Sequence, residues 1–283
     1  MPNVINKRIN NLKKIDKQTK VCYYIKPING GIFMYTYFQK VEEVLSQFSG
    51  DCRHNYDLNK KTLKVNFQTP IMDKLYGTYD NEENEIELYK EDALLHELFH
   101  MSFRAPSKVN QKIYEDEDIM YSNGIAFSFI CNDKKVVYGK GIVEGFVEYL
   151  FRKIENNDKK SFQYFFVDLL ISIYGEDILE YAFKNDPVGF YSDKRFVDIH
   201  KFSRGLDELY SAQQAIKLIT QFRSAYENIF DNGTLEEKQE CSKLIFEIRY
   251  NIKNAIIEMF KLIINEFENC KESKICIWTF IIN

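Results

Sequence analysis

The chain has 283 residues, 45% of them apolar and 28% charged, an ordinary globular balance that excludes a wholly disordered polymer. Its net charge of −4, from 38 basic and 42 acidic residues, gives no global pull toward nucleic acid or an anionic membrane, and neither is expected as a partner. With only 12 Gly and 5 Pro, but 23 Phe and 19 Tyr, it has ample core material and no collagen-like or linker-dominated character. At roughly 100–200 residues per domain, it reads as one large domain, or a main domain with a helical appendage.

The first twenty residues are polar and read as a charged helix or loose arm. No apolar run follows them that would act as a signal peptide, and no stretch approaches the ~18 apolar residues of a membrane span. The six cysteines, Cys22, Cys52, Cys131, Cys241, Cys270 and Cys276, are scattered and form no C-x-x-C pair. Neither a zinc ribbon nor a disulfide framework is indicated, and a reducing cytoplasm is the expected compartment.

In chain order, VCYYIKPI (21–28) looks strand-like, KVEEVLSQF (40–48) has helical spacing, and TLKVNF (62–67) alternates as a strand does. KLYGTYDNEENEIELY (74–89) reads as two short strands around a turn at Asp80 to Asn84. A compact helix follows from about Lys90 to Arg104, stopped by Pro106. IYEDEDIMY (113–121) reads as a solvated acidic loop. SNGIAFSFICNDKKVVYGKG (122–141) reads as a hairpin turning at Cys131 to Lys134, and GIVEGFVEYLFRKI (141–154) has helical spacing again.

Beyond Pro187 there is no further Pro, and Gly is confined to Gly189, Gly205 and Gly233. LDELYSAQQAIKLITQFRSAYENIF (206–230) reads as one helix and LEEKQECSKLIFEIRYNIKNAIIEMFKLIINEF (235–267) as another. In the second, Ile245, Ile248, Ile252, Ile256, Met259, Ile263 and Phe267 recur three or four residues apart. Such a stripe packs onto the body of the protein or binds a protein partner.

The chemistry concentrates at His96-Glu97-Leu98-Phe99-His100, which holds two of the chain's four histidines. On a helix, residues four apart share a face, so both imidazoles converge on one ion. Glu97 lies within reach of a ligand on the ion's open side, where it can take a proton from a zinc-bound water. The bland alternative, an amphipathic helix with surface histidines, fits poorly with Leu94, Leu95, Leu98, Phe99 and Met101. These make the helix apolar nearly all round, and buried unpaired histidines are costly.

Hydrolytic zinc needs a third protein ligand. No third His follows in the metzincin spacing, and the remaining imidazoles, His54 and His200, read as surface or core histidines. Glu144 is the best candidate. It opens the 141–154 helix, with Glu148 one turn on, and like charges at that spacing are ordinarily unfavourable. The pair makes sense if Glu144 binds zinc and Glu148 orients a ligating imidazole. Similar pairs occur at Glu83/Glu87, Glu176/Glu180 and Glu236/Glu240, so the apolar neighbours Ile142, Val143, Phe146, Val147 and Leu150 carry the distinction. A donor for the developing oxyanion is sought at Tyr138, with Tyr121 and His200 as alternatives. A peptide could pair in extended form with Ile86 to Tyr89 or with Ile125 to Ile130.

HELFH followed by EGFVEY resembles the gluzincins, the thermolysin-like clan of zinc metallopeptidases, and in particular small bacterial proteins with a hairpin and an E-G-x-x-E helix after H-E-x-x-H. The resemblance spans roughly Tyr76 to Arg152. It implies zinc held by His96, His100 and Glu144, Glu97 as general base, and Glu148 as supporting hydrogen-bond acceptor. Val143 departs from the Asn that the thermolysin pattern carries before its ligand Glu. The implied fold is α+β and zincin-like: a mixed sheet and active-site helix above a helical lower subdomain. Residues 1–200 would form that domain, with 201–283 a helical region packed on it. The expected function is zinc-dependent hydrolysis of peptide or protein substrates. The alternative is a regulatory or partner-binding protein with a zincin-like body, engaging its partner through the C-terminal helices.

Overall fold

The computed structural model describes residues 30–68, 76–105, 112–114, 117–118, 121–131, 134–155, 161–221 and 223–270. The expectations for residues 1–28, an arm and a first strand, lie outside them. The architecture is α+β: mostly helical, with small sheets of mixed pairing.

Two helices lead in, α1 (Gly30–Leu45) and α2 (Gly50–Thr62), and the chain then enters β1 (Lys64–Phe67). β2 (Gly77–Asp80) and β3 (Glu85–Leu88) form the expected hairpin. The sheet order is β1-β3-β2, parallel between β1 and β3 and antiparallel between β2 and β3. Asn84 closes the turn at φ +51°, a left-handed value that Asn tolerates better than most residues. Its amide donates to the Asn59 carbonyl and the Thr62 hydroxyl, each at 2.8 Å. Asn59 in turn donates to the carbonyls of Met101 and Arg104. These polar side chains fasten the hairpin turn and α2 to the far end of the next helix.

That helix is α3 (Leu94–Ser102), entered through a single 3₁₀ turn at Glu91–Ala93. Leu94, Leu95, Leu98, Phe99 and Met101 are all fully buried, so the helix runs through the core and not along its surface. Its apolar coat explains why so short a helix is stable, since nine residues are too few to hold in water without tertiary packing.

β4 (Lys112–Tyr114) and β5 (Glu117–Asp118) pair antiparallel, so part of the expected acidic loop at 113–121 is a small two-stranded ladder. Local composition favours a loop there, and cross-strand pairing overrides it. β6 (Tyr121–Asn123), β7 (Ala126–Cys131) and β8 (Lys134–Tyr138) form an antiparallel sheet in the order β6-β7-β8. Both segments expected to receive a peptide, β3 and β7, are the middle strands of three. Their two edges are already hydrogen-bonded, which removes them as docking edges.

Gly139, at φ +80°, turns the chain from β8 into α4 (Lys140–Ile154). α5 (Phe162–Tyr174), α6 (Leu179–Lys184) and α7 (Pro187–Ser192) follow, and then the long α8 (Ile199–Gln221). α4 crosses both α5 and α8 at close range. A Cβ at Gly145 would collide with Val167 of α5, and one at Gly141 with the Leu206 carbonyl of α8. The segment expected as one helix at 206–230 is described as α8 and α9 (Arg223–Asn232), with residue 222 outside the described residues.

α10 (Leu235–Asn269) starts at a capping box of Thr234 and Glu237 and lies along α8 and α5. Ile252, Ile256, Met259 and Ile263 of the predicted stripe face the core. Buried Glu266 accepts the backbone N–H groups of Val197 and Asp198, each at 2.8 Å, and the Tyr174 hydroxyl, so it holds the start of α8. Among the described residues, no helix is long and apolar enough to cross a membrane.

Candidate metal centre

α3 and α4 pack side by side and turn their polar residues toward each other. His96 and His100 project from one face of α3, as the four-residue spacing requires, and Glu144 comes across from the second turn of α4. The two Nε2 atoms are 3.2 Å apart. Glu144 Oε1 lies 3.4 Å from His96 Nε2, and its Oε2 lies 3.4 Å from His100 Nε2. Two imidazoles and one carboxylate group thus meet at the corners of a triangle, each carboxylate oxygen nearest a different imidazole. Among the described residues they are the group able to hold a metal ion, with ligand atoms all within 4.8 Å of one another.

The triangle can be tested against zinc. Tetrahedral Zn²⁺ with bonds of about 2.0–2.1 Å separates its ligand atoms by about 3.3–3.4 Å. The Nε2–Nε2 distance of 3.2 Å is close to that spacing, and the Glu144 carboxylate meets each imidazole through a different oxygen. The donor set, two neutral-capable imidazoles and a carboxylate, suits zinc. The three side chains keep 16–20% of their surface exposed, so the centre is reachable from solvent.

Around the triangle, each partner tunes the next. Glu148 Oε1 stands 3.9 Å from His96 Nδ1, the nitrogen directed away from the triangle, and Glu148 Oε2 pairs with Arg152 Nε at 3.3 Å. The Arg152 guanidinium lies over the Tyr164 ring, 4.7 Å from its centroid, which ties this outer layer to α5. Burial works against the charged form of His96, but the Glu144 hydrogen bond and the charges of Glu144, Glu97 and Glu148 outweigh it and lift its pKa to about 9. Burial works the other way on Glu144, yet hydrogen bonds from both imidazoles hold its carboxyl well below the usual range.

Glu97 is buried at 6% exposure, and the backbone of β2 presses on it: a Cβ at Gly77 would come within 3.3 Å of Glu97 Oε1. Burial raises its pKa, the two imidazoles pull it back, and Glu144 adds to the rise. A carboxyl raised in this way is a stronger base when ionised.

The structure thus assembles His96, Glu97, His100, Glu144 and Glu148. Tyr138 has its hydroxyl directed at the His200 carbonyl, 2.8 Å away, within a cluster of rings formed with Phe127, Tyr191 and His200. His200 stacks on Tyr191 at 5.1 Å, and His54 is exposed on α2. The Tyr121 side chain lies outside what is described. Two residues of α8 escape sequence reading. Tyr210 is half-buried where the charges of Glu144 and Glu97 reach it. Burial and those charges together push its phenol up. Asp207 accepts the N–H groups of Gly139 and Gly141, at the start of the helix that carries Glu144.

No family model, curated protein or solved structure matches this chain.

Proposed function

We propose that the chain is a zinc-dependent peptidase with a zincin-like, gluzincin-type body, acting on peptide or protein substrates in the cytoplasm. The convergence of His96 Nε2, His100 Nε2 and the Glu144 carboxylate, with ligand atoms all within 4.8 Å of one another and buried Glu97 beside His96, carries this reading. Zinc, when bound by these three residues, supplies a Lewis acid for an attacking water and a scissile carbonyl.

The chain's own residues do the rest. Glu97, fixed between α3 and β2, accepts the proton of the attacking water and returns it to the leaving amine. Glu148, braced by Arg152, sets a negative charge 3.9 Å from His96 Nδ1, which favours the ring orientation that points Nε2 at Glu144 and His100. Tyr210 offers an O–H toward developing negative charge. β2 is an edge strand of its sheet and runs past Glu97, so an extended substrate would pair along it.

Metal content and peptide hydrolysis of the wild type and Glu97→Gln test the reading together. The expected result is equal zinc in both, with hydrolysis lower by about 10²–10⁴-fold in the variant. A wild type that takes up no zinc ends the proposal, and equal hydrolysis by both proteins removes Glu97 as the base.

A further inference from the structure

α10 carries a second, exposed apolar face beside the one packed on α5 and α8, and Phe260 at its edge touches α5. Phe246, Tyr250, Ile257, Phe260 and Ile264 are exposed at 68, 56, 43, 42 and 53%. With exposed Lys253 they are spaced alternately four and three residues apart, the interval that keeps a seam on one side of a paired helix. The seam runs for about 27 Å at ~1.5 Å per residue. It is also ordered. Phe246 and Tyr250 stack at 6.3 Å and 15°, and Phe260 packs edge-on against Phe165 and Phe166 of α5. Phe162 and Phe165, themselves exposed at 41 and 38%, extend the surface sideways. Singly exposed apolar residues need no explanation, but a contiguous patch of this length does.

We propose that this face is a homodimer interface, α10 pairing with α10 of a second copy in antiparallel orientation. The sequence of the seam decides both the partner and its direction. In a parallel pair each residue meets its own twin, which sets Lys253 against Lys253 in the middle of an apolar seam. In the antiparallel pair the twofold axis passes between Lys253 and Ile257. Phe246 then meets Ile264 of the second copy, Tyr250 meets Phe260, and Lys253 lays its aliphatic stem on Ile257. The residues flanking the seam also match in this direction alone. Glu247 falls beside Lys261 of the second copy, and the twofold axis repeats that pair at the other end. Two opposite-charge pairs replace one like-charge clash. The interface contains no residue of the metal centre, so a monomer would leave the peptidase proposal intact and an inactive protein would leave the dimer intact.

Sedimentation equilibrium on the full chain tests it, with circular dichroism checking that each variant keeps its fold. The wild type is expected to be a dimer, and Ile264→Glu a folded monomer. Glu247→Lys and Lys261→Glu should each weaken association by about fivefold, since each turns two attractions into two repulsions. The double variant Glu247→Lys/Lys261→Glu should regain wild-type association. A wild type that stays monomeric at its highest soluble concentration overturns the proposal, as does a dimer indifferent to Ile264→Glu. A double variant as weak as the singles overturns the antiparallel pairing. A dimer formed only after removal of residues 271–283, whose segment Ile275 to Ile282 is strongly apolar, would assign the face to the chain's own end and overturn the proposal too.

Discussion

Asp207 of α8 accepts the backbone N–H of Gly141, the second residue of α4, at 2.6 Å, and its other oxygen accepts Gly139 N–H at 2.8 Å. An acid from a distant helix thus supplies the acceptor that the first turn of α4 lacks locally, where the helix dipole also favours negative charge. Glu144 stands one turn further along, so the same contact sets where the third donor points. Asp207→Ala is expected to lower stability by about 2–3 kcal/mol and to weaken zinc binding. Asp207→Asn, which keeps one acceptor but turns an amide N–H₂ toward the other backbone N–H, should fall between. Urea denaturation and zinc competition against a chelator read the two effects. A stability loss with zinc affinity unchanged would show that Asp207 does not place Glu144.

In the proposed zinc site, Glu148 reaches the donors only through His96. Its carboxylate faces Nδ1 at 3.9 Å and is anchored by Arg152 at 3.3 Å, so its removal leaves all three donors in place but frees one ring. Glu148→Ala is expected to reduce zinc affinity by up to about tenfold, the low end for an outer partner of a ligating histidine, because at 3.9 Å the contact is charge attraction and not a hydrogen bond. Arg152→Ala should reproduce a smaller part of that loss. If Glu148→Ala binds zinc as tightly as the wild type, the His96 ring is oriented by packing alone.

The residues that come together at the centre were legible because their signals are local. His96 and His100 are four apart in a helix whose every other face is apolar, and Glu144 opens a helix with the same character. Strand order is not local, and that is why β3 and β7 look like free edges in the sequence yet prove to be central strands. Asp207 and Tyr210 were illegible for a related reason. Nothing in LDELYSAQQ distinguishes an acid that caps another helix, or a tyrosine beside two distant glutamates, from a solvated face. Only the close crossing of α8 over Gly141 gives them their roles. In the acidic run 113–121, charge density pointed to a loop, and pairing between β4 and β5 prevailed.

Two tyrosines compete for the role of oxyanion donor, and their surroundings differ. The Tyr138 hydroxyl is engaged with the His200 carbonyl, whereas Tyr210, hydrogen-bonded to the Gln214 side chain, lies within reach of the charges of both Glu97 and Glu144. Tyr210→Phe is expected to lower kcat for peptide hydrolysis by about 10²-fold, the loss of one donor to developing charge, with zinc content unchanged. Tyr138→Phe should leave kcat within about twofold and cost about 1 kcal/mol of stability through the lost hydrogen bond. The opposite pattern would return the role to Tyr138.

Glu180 makes the acid sensitivity of the fold testable at a position remote from the metal centre. Its carboxylate accepts the Ser49 N–H at 3.2 Å, the Ser49 hydroxyl at 3.1 Å and the Lys184 ammonium at 2.6 Å, joining the start of α2 to α6. The Lys184 hydrogen bond, opposed by burial and helped by both Ser49 contacts, holds the carboxyl below its ordinary 4.5. The folded state therefore binds this proton less readily than the unfolded chain does. The stabilisation is complete above the unfolded value and is lost as pH falls through the lower, folded one. Both side chains of the ion pair are about one-third exposed, which limits its worth, so the whole arrangement contributes roughly 1 kcal/mol. Other depressed carboxylates, Glu42, Glu176 and Asp193, respond in the same direction, so the wild type alone cannot isolate Glu180. The difference between wild type and Glu180→Gln can. Urea midpoints should favour the wild type at neutral pH, and the gap should narrow once pH drops below 4.5. A gap that stays constant through that range would mean that Glu180 contributes by shape and not by charge.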